Sequence, residues 1–167
     1  LYNLLFARHH QGSFILRLED TDELRSDEVF TQEILNGFRW LGLTWDEGFD
    51  IGGPYEPYRQ TLKLDRYTQV ANQLISQGHA YFCYCTPEEL KQLKTGQGDT
   101  NLAPRYDNRC RNLTEKNIED FRSQGRVPAI RFKIEEPRLI EWNDGVRGPI
   151  AINSSDLGGD MIIVKST

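Results

Sequence analysis

Three carboxylates fall within four residues where the apolar run Phe14-Ile15-Leu16 gives way to Arg17-Leu18-Glu19-Asp20-Thr21-Asp22-Glu23-Leu24-Arg25. A strand ending this way puts negative charge at its carboxyl end, the edge where open α/β sheets bind ligands. Side chains alternate along a strand, so Arg17 and Glu19 share one face, while Asp20, Thr21 and Asp22 fall on the following turn. A carboxylate presented there can neutralise an ammonium group. The plainer use of the same acids is to cap the turn through their short side chains.

Elements must position these groups. Leu1, Leu4, Leu5 and Ala7 have helical spacing before Gly12, with nothing capping the start, as in a chain that begins inside an element. Ser13 to Glu19 reads as a strand whose near-continuous apolar run suits a buried parallel sheet. Ser26 is the expected cap of a helix with Asp27 and Glu28 in its first turn, with Phe30, Ile34, Phe38 and Leu41 as its inner face and Gly42 as its end. Asp46 to Gln60 carries Gly48, Gly52, Gly53, Pro54 and Pro57 and reads as a surface loop. A helix presenting Leu64, Tyr67, Ala71, Leu74 and Ile75 stops at Gly78, before a strand from Ala80 to Cys83. At Thr86-Pro87-Glu88-Glu89 a capping box opens a second, smaller unit. In it, Thr114 caps a short helix ending near Gly125, and Val127–Ile134, Leu139–Trp142 and Met161–Lys165 read as strands.

Composition narrows the classes of function. With 25 acidic against 20 basic residues and a net charge of −5, the surface as a whole does not attract nucleic acid, so any RNA contact must be local. Three cysteines cannot make a complete disulfide framework, which favours a reducing, cytoplasmic setting. No apolar run approaches the roughly 20 residues needed to cross a bilayer, so no membrane partner is expected. Tyr81, Phe82 and Tyr84 suit core packing better than base stacking. His9, His10 and His79 show no metal-ligand spacing.

The Phe14–Arg25 stretch closely resembles the strand and loop after the first nucleotide signature of bacterial-type glutamyl-tRNA synthetases, which are class I aminoacyl-tRNA synthetases. The resemblance continues in family order through Trp40-Leu41-Gly42-Leu43-Thr44-Trp45-Asp46-Glu47-Gly48, Gly52-Gly53-Pro54-Tyr55-Glu56-Pro57-Tyr58-Arg59-Gln60 and Tyr81-Phe82-Cys83-Tyr84-Cys85-Thr86-Pro87-Glu88-Glu89-Leu90. Arg147-Gly148 and Ile162-Ile163-Val164-Lys165-Ser166 extend it across essentially the whole chain. It implies an α/β fold: residues 1–85 as the first half of a Rossmann-type parallel-sheet catalytic domain, and 86–167 as an inserted, smaller α/β domain that binds the tRNA acceptor stem.

The function implied is ATP-dependent attachment of L-glutamate to tRNA(Glu) through glutamyl-adenylate, with ATP acting as its Mg2+ complex and the enzyme a cytoplasmic monomer. By position, Glu19 is the residue expected to bind the α-ammonium of glutamate. Thr21, Asp22, Arg25, Arg147 and Lys165 are expected to meet the tRNA acceptor end. The His-Ile-Gly-His and Lys-Met-Ser-Lys-Ser signatures that cradle ATP are expected outside the chain, before Leu1 and beyond Thr167. No catalytic residue is therefore assigned within it.

Cys83-x-Cys85 and Cys110 resemble the zinc pattern of some family members, which ends in a His two places later. Here that place is Asn112, a poor zinc ligand beside thiolate or imidazole. Tyr106-x3-Cys110 resembles the arrangement in the paralogous glutamyl-queuosine tRNA(Asp) synthetases and offers a phenolate in its place. With three strong ligands, a metal-free knuckle is the favoured expectation and bound zinc the alternative. A non-catalytic RNA-binding or zinc-knuckle module is a further alternative, against which the acidic balance speaks.

Overall fold

Short elements joined by glycine turns build two compact units, Leu1–Thr68 and Gln69–Thr167. The structure, a computed structural model, describes residues 1–21, 26–96, 105–135 and 137–166. It is α/β in class. The first unit holds a parallel strand pair, and the second a three-stranded antiparallel sheet and a β-hairpin.

In the first unit, α1 (Tyr2–His9) ends where the Gly12 N–H donates to Ala7 O. Strand β1 (Ile15–Leu16) follows, shorter than the Ser13–Glu19 expectation. Helix α2 (Glu28–Trp40) is capped by Asp27, whose side chain accepts from the Val29 N–H, one residue later than Ser26. Its buried residues are Thr31 and Leu35, while Phe30, Ile34 and Leu41 stay exposed. The inward face is thus turned about one position from the expected one, because Thr31 satisfies its hydroxyl on the Asp27 carbonyl and can go inside.

The Asp46–Gln60 connector is more than a surface loop. Its residues Glu47–Gly48 form β2, parallel to β1 with Ile15 opposite Glu47 and Leu16 opposite Gly48. Arg59 bridges to Leu18 in parallel as well. Two residues of polar ladder carry no alternation for sequence reasoning to detect. Ile15 remains exposed, so the expectation of a strand buried on both faces is not met.

Helix α3 (Leu64–Ser76) follows a 3₁₀ turn at Thr61–Lys63; only Ala71 of its expected apolar face is fully buried. Gly78, at φ +77°, ends it as expected. Strand β3 (Ala80–Cys83) then pairs antiparallel with β4 (Ala129–Phe132), and β4 pairs with β7 (Met161–Val164). Register slips between Ile130 and Arg131 along the β4–β7 pair. Between them lie α4 (Pro87–Gly96), α5 (Glu115–Ser123) and the hairpin of β5 (Leu139–Asp144) and β6 (Gly148–Asn153).

The predicted caps of the second unit form. Thr86 N–H donates to the Glu89 carboxylate while Glu89 N–H donates to Thr86 Oγ1, and Thr114 makes the reciprocal pair with Asn117. Tyr81 and Tyr84 are buried, Tyr84 stacked on Phe121. The core centres on Tyr81, Cys83, Tyr106 and Cys110, with Leu90, Leu93 and Leu113 packed around it. Among the described residues, no helix is long and apolar enough to cross a membrane.

Candidate functional site

At the carboxyl end of β1, alternation puts Arg17 and Glu19 on one face, and Arg17 NH2 donates to Glu19 Oε1 at 2.7 Å. Both side chains stay open to solvent, 60% and 66% exposed. Glu19 is therefore a carboxylate held by one exposed cation. Asp20 is differently occupied: it accepts from Thr61 N–H at 2.9 Å and from Thr61 Oγ1 at 2.7 Å. Burial pushes its carboxyl up, but the two bonds from Thr61 outweigh this and hold it below the usual aspartate range. Thr21 is exposed, while Asp22 and Arg25 lie outside the described residues.

The loop behind this strand end is anchored by polar contacts that the sequence did not announce. Buried Tyr58 donates its hydroxyl to the Glu47 carboxylate and accepts from Tyr55 N–H. A Cβ at Gly53 would collide with that hydroxyl, and φ there is +151°, so the position requires glycine. Leu18 N–H donates to Tyr58 O and Gln60 N–H to Leu18 O, which fixes the chain immediately before Glu19. Arg59 reaches Glu28 at 3.0 Å.

The second unit gathers a different set. Cys83 ends β3, Cys85 follows it, and Tyr106 and Cys110 come from the loop before α5. The three sulfurs lie within 4.8 Å of one another, Cys85 and Cys110 at 3.6 Å. The Tyr106 hydroxyl is 3.4 Å from Cys83 Sγ and 3.6 Å from Cys85 Sγ, and it accepts from Cys110 N–H at 3.3 Å. A tetrahedral zinc ion with Zn–S bonds of about 2.3 Å spaces its sulfurs about 3.8 Å apart. Three sulfurs and a phenol at these separations fit that geometry. The Tyr106 hydroxyl, rather than Asn112, is the oxygen that stands beside the sulfurs where a fourth donor would be.

The cluster's protons are unevenly held. Bonds from Cys110 and Cys85, then from Tyr106 and Arg131, pull the Cys83 thiol far below the usual thiol range against the effect of burial. Contacts with Cys110 and Cys83, with burial, push Cys85 up, and burial followed by the three cysteines pushes Tyr106 up.

Sequence reasoning missed the polar frame around these donors. Arg131, 5% exposed, donates through Nε to Cys83 Sγ at 3.2 Å and lies 3.6 Å from the centre of the Tyr106 ring. Its NH1 donates to Asp160 O at 2.6 Å. The fully buried Asp160 carboxylate accepts from Tyr81 OH, Arg111 Nε and NH2 and Ile134 N–H at 2.5–2.8 Å. Burial raises Asp160, yet Arg111, the Ile134 N–H and Tyr81 together keep it below the usual range. A charged residue on the inward face of an otherwise apolar strand, Ala129-Ile130-Arg131-Phe132, was the one available signal.

The two predicted RNA-contacting cations of this unit are exposed and lie on separate elements. Arg147 sits in the β5–β6 turn, where Asp144 accepts the Val146 and Arg147 N–H groups, and Lys165 follows β7.

A parallel strand pair with an acidic edge, followed by a cysteine-bearing antiparallel unit, fits the architecture of a class I synthetase. The chain belongs to the family of class I tRNA synthetases (E and Q), catalytic domain, which matches residues 1–167. Among its relatives, a glutamate–tRNA ligase of Crocosphaera subtropica is 52% identical over 165 residues, 99% of this chain and 32% of the relative. One of Thermosynechococcus vestitus is 51% identical over 166 residues, 99% of this chain and 33% of the relative. The solved glutamate–tRNA synthetase of Elizabethkingia anophelis superposes with a TM-score of 0.81 at 35% identity, over 99% of this chain and 34% of that one. The chain thus spans about a third of the length of the relatives it matches.

Proposed function

We propose that this chain is part of a ligase that joins L-glutamate to tRNA(Glu) through glutamyl-adenylate. The observation that carries the reading is the full-span identity of about half to proteins named glutamate–tRNA ligase. In the first step a carboxylate oxygen of glutamate attacks the α-phosphorus of ATP, forming a C–O–P link and expelling pyrophosphate. In the second a ribose hydroxyl of the terminal adenosine takes the glutamyl carbon and AMP leaves. Mg2+ would neutralise the triphosphate. The work of such a reaction is chiefly alignment.

Glu19 receives the α-ammonium of glutamate, and Arg17 holds the carboxylate extended until it arrives. Tyr58 and Glu47 set the loop that fixes the preceding backbone. Thr21, Asp22 and Arg25 meet the acceptor end, with Arg147 and Lys165 on the acceptor-binding portion, residues 86–167, where cations serve phosphate contact. Residues 1–85 serve the catalytic half. Three free cysteines support a cytoplasmic protein, acting as a monomer.

Cys83, Cys85, Tyr106 and Cys110 would hold zinc. A zinc ion there would fold the knuckle rather than react, because four protein donors leave it no open position. Metal analysis should find one zinc per chain.

The experiment that tests the ligase reading is pyrophosphate exchange by the full-length protein, with and without tRNA. Glutamate should support exchange and glutamine should not; exchange driven by glutamine alone overturns the reading. The Tyr106 donor favours one second reading, transfer of glutamate to queuosine-bearing tRNA(Asp). Separating tRNA(Glu) from tRNA(Asp) as the labelled product decides between them.

A further inference from the structure

Arg131 is a buried guanidinium whose surroundings demand an explanation. Such a cation is costly to bury without an anion beside it. Among the described residues, no carboxylate forms an ion pair with Arg131; its contact to Asp160 is to the main-chain oxygen, while that residue's carboxylate is taken by Arg111, Tyr81 and Ile134. Its remaining contacts are Cys83 Sγ and the face of the Tyr106 ring. Among the described residues, the groups in contact with its guanidinium that can carry negative charge as metal ligands are Cys83 and Tyr106, two of the four-donor set.

Charge arithmetic gives that position a purpose. Three thiolates and a phenolate bring four negative charges to a divalent ion, which leaves an excess of two inside the core. A neutral imidazole as fourth ligand would leave an excess of one. We propose that Arg131 is the counter-cation and positioning residue of the metal site, and that its charge is what allows a tyrosine oxygen to serve as the fourth ligand. The inference rests on the zinc reading above.

The geometry suits both parts of the role. Stacking on Tyr106 fixes the ring's plane, and the Nε–H···S bond fixes Cys83. The backbone of Tyr106 is held independently: its N–H donates to Gly158 O at 3.0 Å, and a Cβ at Gly159 would come within 2.8 Å of Tyr106 O. Arg131 takes its own bearing from Asp160, the next residue along. The ring and its supporting cation are thus set by one turn.

Release of zinc to a colorimetric chelator, followed in the full-length protein, provides the test. Arg131→Met should speed release by about 10- to 100-fold, the range for losing a group that bonds a metal's ligand. Arg131→Lys, which keeps the charge without the planar face, should fall between. In a Tyr106→His background the penalty of Arg131→Met should shrink severalfold, because the excess negative charge that the guanidinium answers falls from two to one. An equal penalty in both backgrounds marks Arg131 as packing alone and overturns the proposal, as does wild-type release in Arg131→Met. If Arg131→Met does not fold, the same cycle run with Arg131→Lys decides the matter by the same criterion. Unaltered protein that carries no zinc overturns the metal reading itself, an outcome distinct from zinc-bearing protein indifferent to residue 131.

Discussion

The acidic end of β1 and the sulfur cluster of the second unit both gather charge, but they treat water in opposite ways. Arg17 and Glu19 pair with more than half of each side chain in solvent, where such a pair is worth about 0–1 kcal/mol. Asp160 and Arg131 are almost wholly enclosed, with every contact short and specific. The exposed pair can be opened by an arriving ammonium group at little cost. The enclosed groups, Asp160 bonded to Arg111, Tyr81 and Ile134 and Arg131 to the Asp160 main-chain oxygen, cannot change partners without unmaking the unit, so the first arrangement suits exchange and the second suits permanence.

The largest effect that would sharpen this contrast comes from the metal set. Cys110→Ser should abolish stoichiometric zinc and cost several kcal/mol of stability, a fraction of the roughly 10 kcal/mol or more that structural zinc can contribute. Metal analysis with thermal unfolding reads both. Asp160→Ala should follow at about 3 kcal/mol in urea denaturation, because the buried Tyr81 hydroxyl and Ile134 N–H lose their acceptor together with the part-exposed Arg111. A loss under about 1 kcal/mol would erase the distinction between the two regions.

Glu19→Ala should leave stability within about 0.5 kcal/mol. In the full-length protein it should nonetheless raise the KM for glutamate about tenfold or more, from losing a charged hydrogen bond worth about 1.5–3 kcal/mol. Unchanged glutamate kinetics would remove the substrate role from Glu19. The smallest effect is in pH. Asp160 titrates below the ordinary aspartate range, so its stabilisation is fully present above that range and is lost only as pH falls through the depressed value. Between pH 7 and 5, urea midpoints of the wild type and Asp160→Ala should therefore differ by a constant amount.

Local signals in the sequence are legible where a few neighbouring residues settle the matter. The boxes at Thr86–Glu89 and Thr114, the stops at Gly78 and Gly125 and the buried Tyr81 and Tyr84 all follow from composition over a turn or less. The inner face of α2 escapes such reasoning because a threonine bonded to its own helix goes inside while Phe30 and Ile34 do not. Strand β2 escapes it because its whole ladder is Glu47–Gly48. The frame of the metal set is illegible for another reason: Tyr81 and Arg111 reach Asp160 across 79 and 49 residues, and polar contacts at such separations leave no periodicity. The cysteines stand out by their spacing, while Tyr106 emerges as a candidate fourth donor only through family resemblance.

The slip between Ile130 and Arg131 makes the molecule sensitive to length. Arg131 stands opposite Ile162 and Ile130 opposite Val164, so Ile163 is the extra residue of β7. Removing it would let the two strands zip evenly. The pairings of Arg131 with Ile162 and of Phe132 with Met161 would be kept, so Asp160 would stay beside Arg131, and what would change is the bend and twist that the extra residue gives β7. A single residue on an outer strand thereby sets the direction in which the chain, with Lys165, leaves the sheet.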